Sequence, residues 1–263
     1  MSRTRGTWNT KGIWLVGAAL AAVLALTGYV LLGGDEDGSD TSGKGGASPS
    51  GSASAAPTYK APEQWTEPER WTALPRGERT DDRGSAVGFP RTTEGAVAMA
   101  AAANTTTVEA DRSNVDEQLR IYHSYLSEAD RTGENAEAVE LNALQTDKML
   151  RKQMGVGAGQ PLPSGAYVRN YVVGYQVVTE TDGEVGVWLL TRVTQKTGEL
   201  EKESSSYTRT LAGVVWEGGD WKLSAAATER AQHQAQTQGE PEMVAPGDAE
   251  FNAAGWTAIR EAS

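Results

Sequence analysis

The chain has 263 residues, 35 acidic against 24 basic side chains, a net charge of −11 and no cysteine. The lack of thiols excludes disulfides, thiolate metal sites, a cysteine nucleophile and a lipidated cysteine. The excess of acid argues against direct nucleic-acid binding, because an acidic surface repels phosphate backbones.

Residues 1–11 carry Arg3, Arg5 and Lys11 and no acid, and read as a short cytoplasmic tail. Gly12 to Leu32, GIWLVGAALAAVLALTGYVLL, then runs for 21 residues without a charge. As a helix it reaches about 30 Å, the thickness of a bilayer's hydrocarbon core. Asp35, Glu36, Asp37 and Asp40 follow, so the positive-inside bias places the body of the chain outside the cell membrane. A cleaved signal peptide would have a shorter apolar region and a small-x-small site, which is not found just after Leu32; the expectation is an uncleaved single-pass anchor. The DEDGSD stretch lacks the alternation and the distal Glu of a calcium loop. Residues 33–62 hold almost nothing large and apolar, and read as a flexible tether with a root-mean-square span of about 30 Å.

Residues 63–87 are expected to form an ordered strap, with Trp71 or Phe89 buried to avoid an exposed aromatic patch. In GFPRTTEGAVAMAAAAN, Thr92 or Thr93 caps a helix that ends near Asn104. Val115, Leu119, Tyr122 and Leu126 recur at helical spacing and predict a second helix from Val115 to about Ala129, capped by Ser113 or Asn114. A third, from about Asn135 to Met154, presents Val139, Ala143, Leu150 and Met154 on one stripe.

From Ala166 the period changes to two. YVRNYVVGYQVV and EVGVWLLTRV read as a hairpin across Thr181-Asp182-Gly183, and a long strand from about Ser205 leads into VVWEGGDWKL. Gly218-Gly219 fits a two-residue turn, which pairs Glu217 with Asp220, Trp216 with Trp221, Val215 with Lys222 and Val214 with Leu223. Period-2 alternation then gives Val214, Trp216, Trp221 and Leu223 one apolar face. The expected fold class is α+β: after the transmembrane helix, residues 88–227 pack three helices on a curved antiparallel sheet of about four strands. Residues 228–263 read as a polar tail in which Phe251, Trp256 and Ile259 form at most a short terminal helix.

Helices followed by a sheet that closes on VVWEGGDWKLSAA resemble the nuclear transport factor 2-like cone fold. With one anchor and a short cytoplasmic tail, the layout is also similar to the bitopic inner-membrane assembly factor of type IV secretion and conjugation machines. GFPRTTEGAVAMAAAAN resembles a segment of uncharacterised membrane proteins of actinobacterial integrative and conjugative elements. The resemblance implies a fold and partners but no active-site residues, because the assembly factors have none.

Some cone proteins are isomerases or dehydratases, so the candidate pocket residues are Tyr122, His123 and Asp130, with Tyr171 and Tyr175 on one strand face toward a cavity. Each also has an ordinary reading: His123 borders the apolar stripe of its helix, and the tyrosines can simply pack. No His-Glu-x-x-His or Gly-x-Ser-x-Gly occurs, and GVGAGQ has the wrong glycine spacing and follows a helix, so no catalytic residue, metal or cofactor is expected. Trp188, on the strand face opposite Val187 and Leu189, is the candidate interface residue. The expected function is a membrane-anchored extracytoplasmic scaffold that contacts other membrane or envelope proteins, or a second copy of itself. The alternatives are a small-ligand binder or enzyme using the cone cavity, and a cell-envelope-binding module.

Overall fold

The computed structural model describes Tyr59, residues 62–157 and residues 160–260. The expected anchor and most of the tether lie outside the described residues, and among those no helix is long and apolar enough to cross a membrane. In chain order the elements are β1 (Trp71–Thr72), β2 (Arg79–Thr80), β3 (Ala86–Val87), α1 (Thr93–Asn104), β4 (Thr106–Val108), α2 (Asn114–Tyr125), a 3-10 turn (Glu128–Asp130) and α3 (Gly133–Gln153). There follow β5 (Tyr167–Thr181), β6 (Glu184–Lys196), β7 (Ser204–Glu217), β8 (Asp220–Leu223), α4 (Ala225–Gln238), α5 (Glu250–Ala253) and β9 (Thr257–Ile259).

The final hairpin has the expected register, and Gly218 and Gly219 sit at φ 61° and 85°, as a type I′ turn requires. Its residues tie three segments together. Asp220, 6% exposed, accepts the backbone N–H of Gly88 on Oδ2 and of Phe89 on Oδ1, both at 3.0 Å. Trp221 is buried and its indole donates to the Pro90 carbonyl at 2.9 Å. Lys222 Nζ donates to the Ser124 carbonyl at the end of α2, at 2.9 Å, and stands 3.4 Å from Asp220 Oδ2. Each buried N–H left unpaired would cost about 1–3 kcal/mol, so these bonds fix where the strap ends and α1 begins. Thr92 then caps α1 through Gly95 N, and a Cβ on Gly95 would lie 1.9 Å from the Pro90 carbonyl oxygen.

The helices begin and end close to expectation. Ser113 and Asp116 form a reciprocal capping box at the start of α2, which stops at Tyr125, short of the expected Ala129. Buried Glu117 lies between Arg112 (3.2 Å) and Arg120 (2.7 Å), and Arg120 also donates to Ser85 Oγ and to the Thr105 carbonyl, joining α2 to the strap and to the end of α1.

The sheet is larger than four antiparallel strands. It has seven strands in the order β1-β9-β5-β6-β7-β8, with β4 also paired to β5, and it is mixed, because β1 runs parallel to β9. Register shifts between Val172 and Gly174 and between Val177 and Thr179 mark bulges that bend β5. Both faces are covered. Val185, Val187 and Leu189 of β6 and Ala212 and Val214 of β7 face α1 in the main core. Trp188, Leu190, Tyr207 and Leu211 point the other way into a second core built with Ala231, Ala235, Phe251, Trp256 and Ala258.

That second core corrects the expectation of a polar tail. After two leading alanines, helix α4 is polar except for Ala227, Ala231 and Ala235, spaced by four, which are its buried residues. They seat on Gly186 and Gly213, which face each other across β6 and β7. A Cβ on Gly213 would lie 2.1 Å from Thr228 N, and one on Gly186 would lie 2.6 Å from the Ala231 Cβ. The strands therefore lack side chains where the helix backbone needs the room. Gly213→Ala is expected to lower stability by about 2–3 kcal/mol, because the new methyl group meets helix backbone that cannot swing aside. Urea unfolding followed by circular dichroism measures this, and a change below about 0.5 kcal/mol would mean that α4 is not held against the sheet.

Candidate functional site

Tyr122 and His123 are in contact, whereas Tyr171 and Tyr175 lie on opposite faces of the sheet. Tyr122 is buried and its hydroxyl donates to the Thr132 carbonyl at 2.7 Å, holding the turn before α3. His123 is exposed, with its ring edge-to-face on Tyr122 at 5.0 Å. Burial of one side of the ring, with the cationic Arg83 and Arg131 nearby, holds its pKa below the ordinary imidazole value. Asp130 accepts the Ser127 hydroxyl at 2.7 Å and the Ala225 N–H at 2.9 Å, so its carboxylate serves the first turn of α4.

Tyr171 and Tyr175 do not share a strand face. The bulge at Val173 adds one residue between them, so Tyr171 lies opposite Arg192 and Tyr175 opposite Leu189. Tyr175 packs against the main core and donates to Thr72 Oγ1 at 3.1 Å, whereas Tyr171 is 41% exposed on the other side. A one-residue slip reverses every later side chain of a strand, and the alternation of the sequence does not announce it. Trp188 is also corrected as an interface residue. It is 9% exposed, lies in the second core under the C-terminal segment, and carries Arg209 over its ring at 5.4 Å.

Two features were not anticipated. A small cleft opens beside the start of α2, lined by Val108, Asp111, Arg112, Asp147, Leu150 and Leu162 among others. Its buried acid, Asp147, accepts the N–H groups of Asn114 (3.0 Å) and Val115 (3.3 Å), the free donors at the helix start. Desolvation pushes the Asp147 pKa up, against the pull of those two bonds. It caps α2 from α3, with one N–H on each carboxylate oxygen. The second feature is a buried polar strip on the helix-facing side of the sheet. Asn170 pairs laterally with Thr106, Thr191 lies opposite Thr208, and Asn104 ends α1 nearby in sequence. Asn104 Oδ1, Asn170 Oδ1, Thr191 Oγ1 and Thr208 Oγ1 are buried without a partner among the described residues.

Among the described residues no group of three His, Asp or Glu side chains is placed to hold a metal ion. His233 lies exposed on α4 and joins no such cluster. Comparison with known protein families, curated proteins and solved structures finds no match for the chain.

The carboxylates titrate in opposite senses. Burial pushes Asp81 up, but the Ser124 hydroxyl at 2.6 Å and the N–H groups of Ser85 and Arg83 outweigh it, and its pKa falls below 3.8. The Ser113 hydroxyl and N–H hold Asp116 below 3.8 as well, against a smaller desolvation. Their stabilisation is complete above the unfolded value and is lost as pH falls through the lower folded values. Asp147 has a raised folded pKa, so its contribution is greatest below pH 3.8 and is lost as pH rises through the folded value. Carboxyl titration by NMR should therefore place Asp81 and Asp116 below 3.8 and Asp147 above it. Asp81→Asn should flatten the loss of stability in acid, and an unchanged pH profile would contradict the assignment.

Proposed function

We propose that this chain is a single-pass membrane protein whose extracytoplasmic α+β domain, of the nuclear transport factor 2-like kind, positions other membrane or envelope proteins in a conjugative-transfer or secretion apparatus and performs no covalent chemistry. The observation that carries this reading is the commitment of Tyr122, Asp130 and Asp147 to structural bonds. Tyr122 holds a turn, Asp130 serves α4, Asp147 caps α2, and Tyr171 and Tyr175 face opposite sides of the sheet. General acid–base catalysis needs an acid and a base free to reach one substrate, and the bonds of Tyr122, Asp130 and Asp147 go instead to groups of this chain.

The anchor reading rests on the uncharged 21-residue run with basic residues before it and acids after it. The first described residue, Tyr59, donates its N–H to the Ser205 carbonyl and packs edge-to-face on Tyr207 at 4.9 Å. The tether thus joins the domain on the sheet face that also carries Trp188, and some 26 residues separate it from the predicted span. Support for the cone-like fold is the run of three helices before a curved sheet that closes on a Trp-paired hairpin; the parallel β1–β9 pair and the α4 layer stand outside the four-strand expectation.

A second reading, a binder of a small polar molecule, is favoured by the partnerless oxygens of Asn104, Asn170, Thr191 and Thr208. Thermal shift against a panel of small polar metabolites separates the two, because a ligand of that strip stabilises the wild type and not Thr191→Val.

For the scaffold reading, the full chain should stay with the membrane fraction through alkaline carbonate extraction. Deleting residues 12–32 should release it and abolish transfer in a host that depends on the protein. His123→Ala and Tyr171→Phe, both at exposed positions, should leave transfer within about twofold of wild type. Loss of transfer by either variant with its fold intact would overturn the reading.

A further inference from the structure

The 21 residues of α3 present two opposite stripes. Asn135, Val139, Ala143, Thr146 and Leu150 are buried on the side toward the domain, where α3 packs chiefly on α2. On the other side, Glu134, Glu137, Leu141, Leu144, Lys148 and Arg151 recur at alternating spacings of three and four, the repeat of a helix-pairing seam. Leu141 and Leu144 are 61% and 50% exposed, and five of the six side chains on this stripe are open to solvent, Arg151 being half-buried.

We propose that this outward face of α3 is a self-complementary docking surface on which a second copy of the chain packs antiparallel, about a two-fold axis between Leu141 and Leu144. The order along the stripe is acid, acid, leucine, leucine, base, base. A two-fold axis at its centre sets Leu141 against Leu144 of the second copy, Glu137 against Lys148 and Glu134 against Arg151. Parallel pairing would instead set acids on acids and bases on bases, so charge selects the antiparallel arrangement. Such an interface is isologous: one patch recognises itself and the assembly closes at two. The charge order alone has another source, because acids at a helix N-terminus and bases at its C-terminus also suit the macrodipole. That effect does not place two exposed leucines at the midpoint, and the pairing does. Arg151 also donates to the Gln160 carbonyl at the cleft edge, so Glu137 with Lys148 is the freer pair and carries the test. One helix pair about 30 Å long is a small interface, weak in solution. Confinement to a bilayer, under the anchoring proposed above, raises its effective concentration.

The native chain has no cysteine, so the full chain in detergent gives a clean cross-linking readout. Glu137→Cys mixed with Lys148→Cys should form a disulfide-linked dimer roughly tenfold more readily than either form alone. In sedimentation equilibrium, Glu137→Lys and Lys148→Glu should each weaken dimerisation by roughly tenfold, and the double exchange should restore it to within about threefold. Leu141→Gln, at an exposed position that leaves folding intact, should also weaken it. A chain that stays monomeric at every concentration, a dominant 137–137 cross-link, or a double exchange that fails to restore the dimer would each overturn the proposal. None of these readouts depends on transfer, so they separate failure of this surface from failure of the scaffold reading.

Discussion

Two backbone N–H groups on one buried carboxylate hold this fold together. Asp220 opens β8, yet its two oxygens receive Gly88 and Phe89, more than 130 residues earlier. Trp221 beside it takes the Pro90 carbonyl, and Lys222 reaches the end of α2. Strap, first helix, second helix and closing hairpin therefore meet at three consecutive residues. A buried carboxylate is costly unless its lone pairs are used, and here they are used by the donors that determine where α1 starts. The strap end and the facing ends of α1 and α2 are placed by that junction.

It also gives a structural meaning to the segment that opens the first helix. In GFPRTTEGA, Gly88 has φ 78° and offers its N–H to Asp220, Phe89 is buried, the Pro90 carbonyl accepts Trp221, Thr92 caps the helix, and Gly95 leaves room for Pro90. Every position in the run with a special shape has a packing or hydrogen-bonding reason. The segment and the Trp-Glu-Gly-Gly-Asp-Trp hairpin are two halves of one contact.

How much was legible follows from range. The caps, the helix stripes and the register of the hairpins depend on residues a few positions apart, and the 3.6 and 2.0 periods expose them. The α4 layer is hard to see in the sequence, because a helix of Thr, Glu, Gln and Arg with only alanines to bury looks like a tail. Its signal lay in two places at once: the spacing of Ala227, Ala231 and Ala235, and the glycines Gly186 and Gly213 within otherwise strong strands. The misplacement of Trp188 as a free surface follows directly, since the missing layer is what covers it. Strict alternation through Val173 would put Tyr171 and Tyr175 on one face, but the strand bulges there. The short β9, parallel to β1, joins residues nearly 190 positions apart and leaves no local trace.

The same features bear on function. Asp130 and Asp147 hold the starts of α4 and α2, and the outward stripe of α3 carries the charge order on which the proposed pairing rests. The central physical claim, that Asp220 fixes the strap to the hairpin, is tested most directly by amide hydrogen exchange at Gly88 and Phe89. These two N–H groups should exchange only through global unfolding, as slowly as the centre of β6, and Asp220→Ala should release them while Leu189 and Leu190 stay protected. Rapid exchange at Gly88 and Phe89 in the wild type, as for an ordinary surface loop, would contradict the account.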